Sequence, residues 1–301
     1  CIRDRAGIAE QIFSLIQENR EAFTDQEHFL AAGALYSPVG PALLLARTEQ
    51  YDAAKEVLAS FEAHNKEKSK DPFIQYGLAR VRILSGLHAL DRSCYDEAGK
   101  LLTDALPLPC PSSGLERELL AAFDQEDRYL DPNWLGVSVH VISEAHKYSP
   151  SKEVKTVFCS VLTHQAVLLH NEGSIDRELL LASMKKAVSL NPADEFARMT
   201  FDDARMDAEI YALHQTMSQG ELSKASRIAK NSSFQKVVDQ FFIFVAQVIE
   251  QVEVGEYPDD TSTFFMVSQL LESALEVAPE HEMIRDIAVL LDELEERMEN
   301  P

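Results

Sequence analysis

Apolar residues recur along the chain at the period of an α-helix. Ile8, Ile12, Leu15 and Ile16 fall at i, i+4, i+7 and i+8, the spacing of one buried helical stripe. Leu78, Val81, Leu84 and Leu87 repeat every three residues. Val154, Val157, Phe158, Val161, Leu162, Gln165 and Leu168 carry the same logic further along the chain. No stretch alternates apolar and polar residues between hairpin turns, so the predicted class is all-α.

Pro and Gly punctuate this pattern. Pro38, Pro41, Asp71-Pro72, Asn191-Pro192 and Asp131-Pro132 mark helix starts or stops, because a proline fits the first turn of a helix and breaks its interior. The stretch from Pro107 to Gly114 holds three prolines and a glycine, and no helix is expected to cross it. Gly255 to Asp260 is another expected loop. These breaks predict an N-terminal helical segment over 1–110, an irregular linker or loop over 111–133, and a C-terminal helical segment over 134–301.

Cut this way, the chain becomes a row of helical hairpins, and their second helices look alike. One reads Leu180-x-x-x-Met184-x-x-Ala187, followed by Asn191-Pro192. Others are Tyr95-x-x-Ala98-x-x-x-Leu102-x-x-Ala105, preceded by Gly86 and Ala89, then Tyr51-x-x-Ala54-x-x-x-Leu58, Gly220-x-Leu222-x-x-Ala225-x-x-x-Ala229, and Leu271-x-x-Ala274-Leu275-x-x-x-Pro279. Small residues at fixed offsets let two helices cross closely, with large ones filling the groove beside them. The pattern resembles the tetratricopeptide repeat, and the resemblance implies an α-solenoid of five to seven antiparallel hairpins. It also implies a concave groove that binds a peptide or partner protein, as in a scaffold, an adaptor or the targeting arm of a larger assembly. Groove positions in that family lie on first helices, which here gives Gln165, Leu169 and Glu172, then Asp207, Ile210, His214 and Met217.

Composition narrows the partner. Glycine is only 11 of 301 residues, which fits long helices better than turn-rich β architectures. Twenty-eight Lys and Arg against 50 Asp and Glu give a formal charge of −22. Such a surface repels phosphate backbones and anionic lipid, so direct nucleic-acid and membrane partners are not expected. From Glu250 onward, 15 acidic residues face only Arg285 and Arg297, so this segment holds −13 of that charge, and a basic partner is the electrostatic match. The last helix sets Leu290, Leu291, Leu294 and Met298 against Asp292, Glu293, Glu295, Glu296 and Glu299, the two-faced pattern of a solenoid cap. The run Phe241-Phe242-Ile243-Phe244-Val245 is apolar around a full turn, so that helix is expected to be buried on all sides or to form a seam.

Catalytic patterns are sparse. Asp202, Asp203 and Asp207 resemble the aspartate-rich motif of all-α isoprenoid synthases, where carboxylates one turn apart hold magnesium diphosphate. No partner acidic motif or basic diphosphate cluster accompanies them, so an Mg-dependent enzyme of that type is the alternative to a binding scaffold. The nine histidines include no HExxH and no pair at i, i+4, and neither GxxxxGK[ST] nor GxGxxG occurs. No cofactor, metal or catalytic residue is therefore assigned, and the chain is read as a non-enzyme. Cys1, Cys94, Cys110 and Cys159 form no CxxC pair, and so few thiols suit a reducing, cytoplasmic setting. A start on Cys1 is expected of a trimmed chain. The most apolar run falls far short of the roughly 20 residues of a membrane span.

Overall fold

The computed structural model describes residues 26–64, 70–107, 113–173, 176–258 and 260–299. The expected stripe through Ile8, Ile12, Leu15 and Ile16 lies outside them, as do residues 108–112 of the proline-rich break. Among the described residues every regular element is helical, with one 3₁₀ turn at Glu126–Arg128 and no strand. The helices are α1 (Gln26–Tyr36), α2 (Gly40–Arg47), α3 (Tyr51–His64), α4 (Pro72–Asp91), α5 (Tyr95–Ala105), α6 (Ser113–Phe123) and α7 (Pro132–Tyr148). They continue as α8 (Lys152–Asn171), α9 (Arg177–Leu190), α10 (Glu195–Ser218), α11 (Leu222–Asn231), α12 (Gln235–Glu253), α13 (Thr261–Val277) and α14 (Met283–Glu299).

The chain divides into two compact units, one ending at Arg198 and the other beginning at Met199. This boundary falls inside α10 and not in the stretch 111–133, where a linker was expected. Part of that stretch is α6, which buries Leu119, Leu120 and Phe123 and packs on α4 and α8. The break that opens at Pro107 follows α5 but does not separate two cores.

The first unit is organised by α4. Phe73, Ile74, Tyr76, Gly77, Leu78, Ala79, Val81, Ile83, Ser85, Gly86, Ala89 and Leu90 are all buried, so apolar or small side chains point in nearly every direction. A helix of that kind needs neighbours on all sides, and α1, α2, α3, α5 and α6 supply them. Glycines set the closest approaches. A Cβ on Gly86 would lie 2.7 Å from Leu102 Cγ of α5, one on Gly77 would lie 2.4 Å from Val39 Cγ2, and one on Gly33 would lie 2.0 Å from the Phe73 ring. Two arginines leave α4 for its neighbours. Arg82 reaches Glu62 of α3 at 2.6 Å and the Asp104 carbonyl of α5 at 2.8 Å, and Arg80 forms a two-pronged pair with Glu118 of α6. Beyond α5 the chain continues as α7, α8 and α9, with α5 on α7, α7 on α8, and α8 on α9.

Aspartates start several helices. Asp71 accepts from the N–H groups of Phe73 and Ile74, with Pro72 in the first turn behind it. Asp131 caps α7 through Asn133 and Trp134, and Asp176, Asp194 and Asp260 cap α9, α10 and α13 in the same way. Asn191, by contrast, ends α9, so Asn191-Pro192 is a stop where Asp71-Pro72 is a start. Gly255 follows α12 at φ 78, a left-handed conformation that a residue without Cβ adopts at little cost.

The second unit has its own core, built from Leu213, Val237, Phe241, Phe242, Val245, Val267, Leu270, Ile287, Leu290 and Leu294 among others. The Phe241–Val245 run is not buried all round: Ile243 is 49% exposed, on the same side of α12 as the exposed Lys236, Asp239, Gln247 and Glu250. In α14, Ile287, Leu290 and Leu294 face the core, while Asp292, Glu293, Glu295 and Glu296 are exposed. Among the described residues no single helix is long and apolar enough to cross a membrane. Only α1 and α2 taken together approach that composition, and they meet at a bend of 112°.

The small residues at the expected crossing positions are buried in every copy: Ala54, Ala98, Ala187, Ala225 and Ala274 are each 0% exposed. Replacing Ala98 or Ala187 by Leu is expected to overpack the site and cost about 1–3 kcal/mol. Replacing the exposed Lys100 or Lys185 by Leu is expected to change stability by less than about 0.5 kcal/mol. Thermal melting of the four variants distinguishes crossing positions from surface.

Asp131 yields a second expectation. Burial alone would raise its pKa, but hydrogen bonds from the Tyr95 hydroxyl and from the N–H groups of Trp134 and Asn133 outweigh it and hold the carboxyl below its ordinary value. A depressed folded-state pKa stabilises above the unfolded value near 3.9 and stops doing so as pH falls through the folded value. Asp131→Ala is therefore expected to lower stability at pH 7 by about 0.5–2 kcal/mol. Chemical denaturation of wild type and variant should show that gap narrowing below about pH 4.

Candidate functional site

The first unit carries an open cleft of about 570 Å³ beside the C-terminal half of α8, within the usual ~300–1,000 Å³ of ligand sites. One wall is a single face of α8, from Ser160 and His164 through Val167 and Leu168 to Asn171. Tyr129 and Leu130, in the connection between α6 and α7, form a second wall. Asp194 and Phe196, at the start of α10, form the third.

Three rings line up in this cleft. The His164 ring stacks on Tyr129 with centroids 4.0 Å apart and planes 22° from parallel, and it meets Phe196 at 5.0 Å with planes 33° apart. Hydrogen bonds hold the stack in place. The Tyr129 hydroxyl lies 3.0 Å from Ser160 Oγ, and His164 Nδ1 lies 2.9 Å from the Ser160 carbonyl oxygen one turn earlier on α8. Behind Tyr129 is Trp134, fully buried and tilted between Tyr129 at 5.7 Å and Phe123 at 6.0 Å. The connection that carries Tyr129 is fixed from below by the Asp131 cap and its Tyr95 partner. On the solvent side, Leu130 is 83% and Phe196 47% exposed. Large apolar groups left this open beside a rigid wall are the usual anchoring points of a binding surface.

The electrostatics are one-sided. Asp194 is the single charged residue lining the cleft, and neither Lys nor Arg joins it. Its Oδ1 accepts from Ala197 N–H at 2.9 Å as the cap of α10. The same carboxylate reaches Cys159, whose buried thiol is pushed up to about 11 by desolvation first and by the Asp194 charge second. Cys159 is therefore a neutral thiol at physiological pH and no nucleophile. A larger space of about 750 Å³ lies where α6 ends and α8 begins. There Arg117 and Lys152 are matched by Asp124 and Glu153, and no aromatic ring joins them, so it selects no charge and presents no anchor.

The residues expected from the repeat pattern fall elsewhere. Gln165 and Leu169 are half-buried and Glu172 is exposed. None of the three lines the cleft, and they flank its wall instead: Gln165 lies one turn before the wall residue Leu168, Leu169 directly follows it, and Glu172, just past the end of α8, lies one turn after it. In the second unit Asp207 and His214 are exposed, and His214 Nε2 lies 3.3 Å from Gln240 Oε1 of α12. Ile210 packs on the core, and Met217, 8% exposed, is part of it. Asp202 sits 3.6 Å from Arg205 on the same helix. Among the described residues no three His, Cys, Asp or Glu side chains gather as a metal site. Sequence spacing gave no route to the cleft, because Tyr129, His164 and Phe196 are each more than 30 residues apart and belong to three elements. The one legible sign was Asp194, placed to cap a helix two residues after a proline.

Compared with models of known families, with characterised proteins and with solved structures, the chain matches none of them.

The two cysteines in the described residues should differ sharply in reactivity. Cys94 is exposed and Cys159 is buried with a raised pKa. With a maleimide at pH 7 under native conditions, peptide mapping by mass spectrometry is expected to find Cys94 labelled at least 100-fold faster than Cys159. Denaturation should abolish the difference.

Proposed function

We propose that this protein is a helical scaffold of the solenoid type, with no enzymatic role, which binds a peptide segment of a partner protein. The observation that carries this reading is the cleft beside α8, where Leu130 and Phe196 stand open to solvent against a hydrogen-bonded stack of Tyr129 and His164. Preorganised rings lose little freedom when a ligand settles on them, so such a surface binds with a small ordering cost. The burial of Ala54, Ala98, Ala187, Ala225 and Ala274 supports the repeat reading, which calls for small buried residues where neighbouring helices cross. The acidic C-terminal segment adds a long-range field that favours basic partners and speeds their encounter. The exposed residues Asp207 and His214 of α10, and Glu172 at the C-terminal end of α8, belong to the same reading as secondary contact points. A reducing, cytoplasmic compartment fits the free thiol of Cys94.

Selection of a random dodecapeptide display library on the immobilised protein tests the reading. Enriched peptides are expected to perturb the fluorescence of Trp134, the single tryptophan, which lies behind the cleft-lining Tyr129. Leu130→Ser is expected to weaken their binding at least fivefold without moving the melting temperature, since the side chain is 83% exposed. No enrichment, or peptides that bind Leu130→Ser as tightly as wild type, would overturn the assignment of this cleft.

A further inference from the structure

Resting on the reading of the cleft as a peptide site, we infer that it recognises an arginine flanked by aliphatic residues. The charge lining the cleft is a single carboxylate, that of Asp194, half-buried and unopposed by any Lys or Arg in the walls. A ligand that brought an anion there would meet Asp194 without compensation, and a neutral ligand would leave it partly desolvated. A cation removes both costs. The helix termini around the cleft do not alter this sign. The last turn of α8, Leu168 to Asn171, presents the negative end of a helix, and the start of α10 presents a positive end already answered by the Asp194 cap. Each terminus amounts to about half a charge, so the two nearly cancel and the full charge of Asp194 decides. Of the charged residues next to the wall in the chain, exposed Glu172 and Glu195 follow Asn171 and Asp194 and share that sign, while Arg128, which precedes Tyr129, is paired with Asp91.

Among cations, the geometry favours a guanidinium over an ammonium. Asp194 and Phe196 are two residues apart on the same wall, and the Phe196 ring is 47% exposed. A guanidinium is planar and weakly hydrated, so it lies against an aromatic ring while donating to a carboxylate. The cap hydrogen bond falls on Asp194 Oδ1, and Oδ2 is the oxygen assigned to the ligand. An ammonium gives up a tighter hydration shell for one contact. Val167 and Leu168 along α8 and Leu130 at the rim then take the methylene stem and the aliphatic neighbours of the arginine.

The test titrates the full chain with four capped hexapeptides that share aliphatic flanks and differ only in the central residue: arginine, citrulline, lysine or glutamate. Trp134 fluorescence and calorimetry report binding. The arginine peptide is expected to saturate, with citrulline and glutamate at least tenfold weaker and lysine at least threefold weaker. Asp194→Asn retains a good helix cap while removing the charge, so it is expected to weaken the arginine peptide at least fivefold, to bind the citrulline peptide no more weakly than wild type does, and to leave the melting temperature unchanged. Equal binding of all four peptides, or an unchanged affinity in Asp194→Asn, would overturn the arginine assignment but leave the cleft a peptide site. Failure of the arginine peptide to saturate overturns the assignment as well, and if display selection also returns nothing, the docking reading falls with it.

Discussion

The first unit depends on burying α4 from every side. Its apolar residues do not form a stripe; they surround the axis, so the helix has no stable position unless five neighbours close on it. Close approach is possible because the contact points are small. Gly86 admits Leu102, Gly77 admits Val39, and Gly33 admits the Phe73 ring at separations that a β-carbon would forbid. Arg80 and Arg82 lie on this same buried helix, and their heads end on Glu118, on Glu62 and on the open carbonyl of Asp104. Two ion pairs thus tie α6 and α3 to the central helix at defined points, and the hydrogen bond from Arg82 to the Asp104 carbonyl near the end of α5 adds a third tie.

That arrangement fixes the walls of the cleft at one remove. Helix α6 is held to α4 by the Arg80–Glu118 pair and also packs on α8, and Phe123 at its end lies against Trp134. Tyr95, on the partner helix of α4, holds the Asp131 cap where α7 begins. Between these two anchors runs the connection that carries Tyr129 and Leu130. The segment is short and tied at both ends, and it holds Tyr129 in its stack on His164 while Leu130 points to solvent.

Helix-period patterning made the class of fold readable, and proline with a preceding Asp made Asp71-Pro72 and Asp131-Pro132 readable as helix boundaries. Their polarity was less plain. Asp-Pro starts a helix because the carboxylate accepts the first free N–H groups, whereas Asn191 closes α9 and leaves the start of α10 to Asp194. The helix apolar on all sides was sought in the Phe241 run, yet Ile243 faces solvent there and α4 is the enclosed helix. The reason is that α4 encloses itself with Gly, Ala, Ser and Tyr as well as Leu, so its burial shows in residue size rather than in hydrophobicity. The cleft was hidden for a different reason. Its rings come from three elements, and no short-range spacing encodes which rings a fold brings together.

The acidity of the chain has two physical origins that act differently. Five aspartates, Asp71, Asp131, Asp176, Asp194 and Asp260, stand at helix starts and accept backbone N–H groups there. Their charge is partly answered by the positive end of the helix that each begins. Of the 15 acidic residues from Glu250 onward, only Asp260 has such a role among these caps, and α14 displays its carboxylates on the face opposite its buried leucines. That charge is not needed to start a helix and meets only two arginines, so most of it remains as field. At physiological salt a field decays over about 8 Å, which is far enough to orient an approaching basic chain but too short and too unspecific to select a side chain. Selection needs a partly desolvated charge with a shaped wall beside it, and Asp194 with Phe196 meets both conditions.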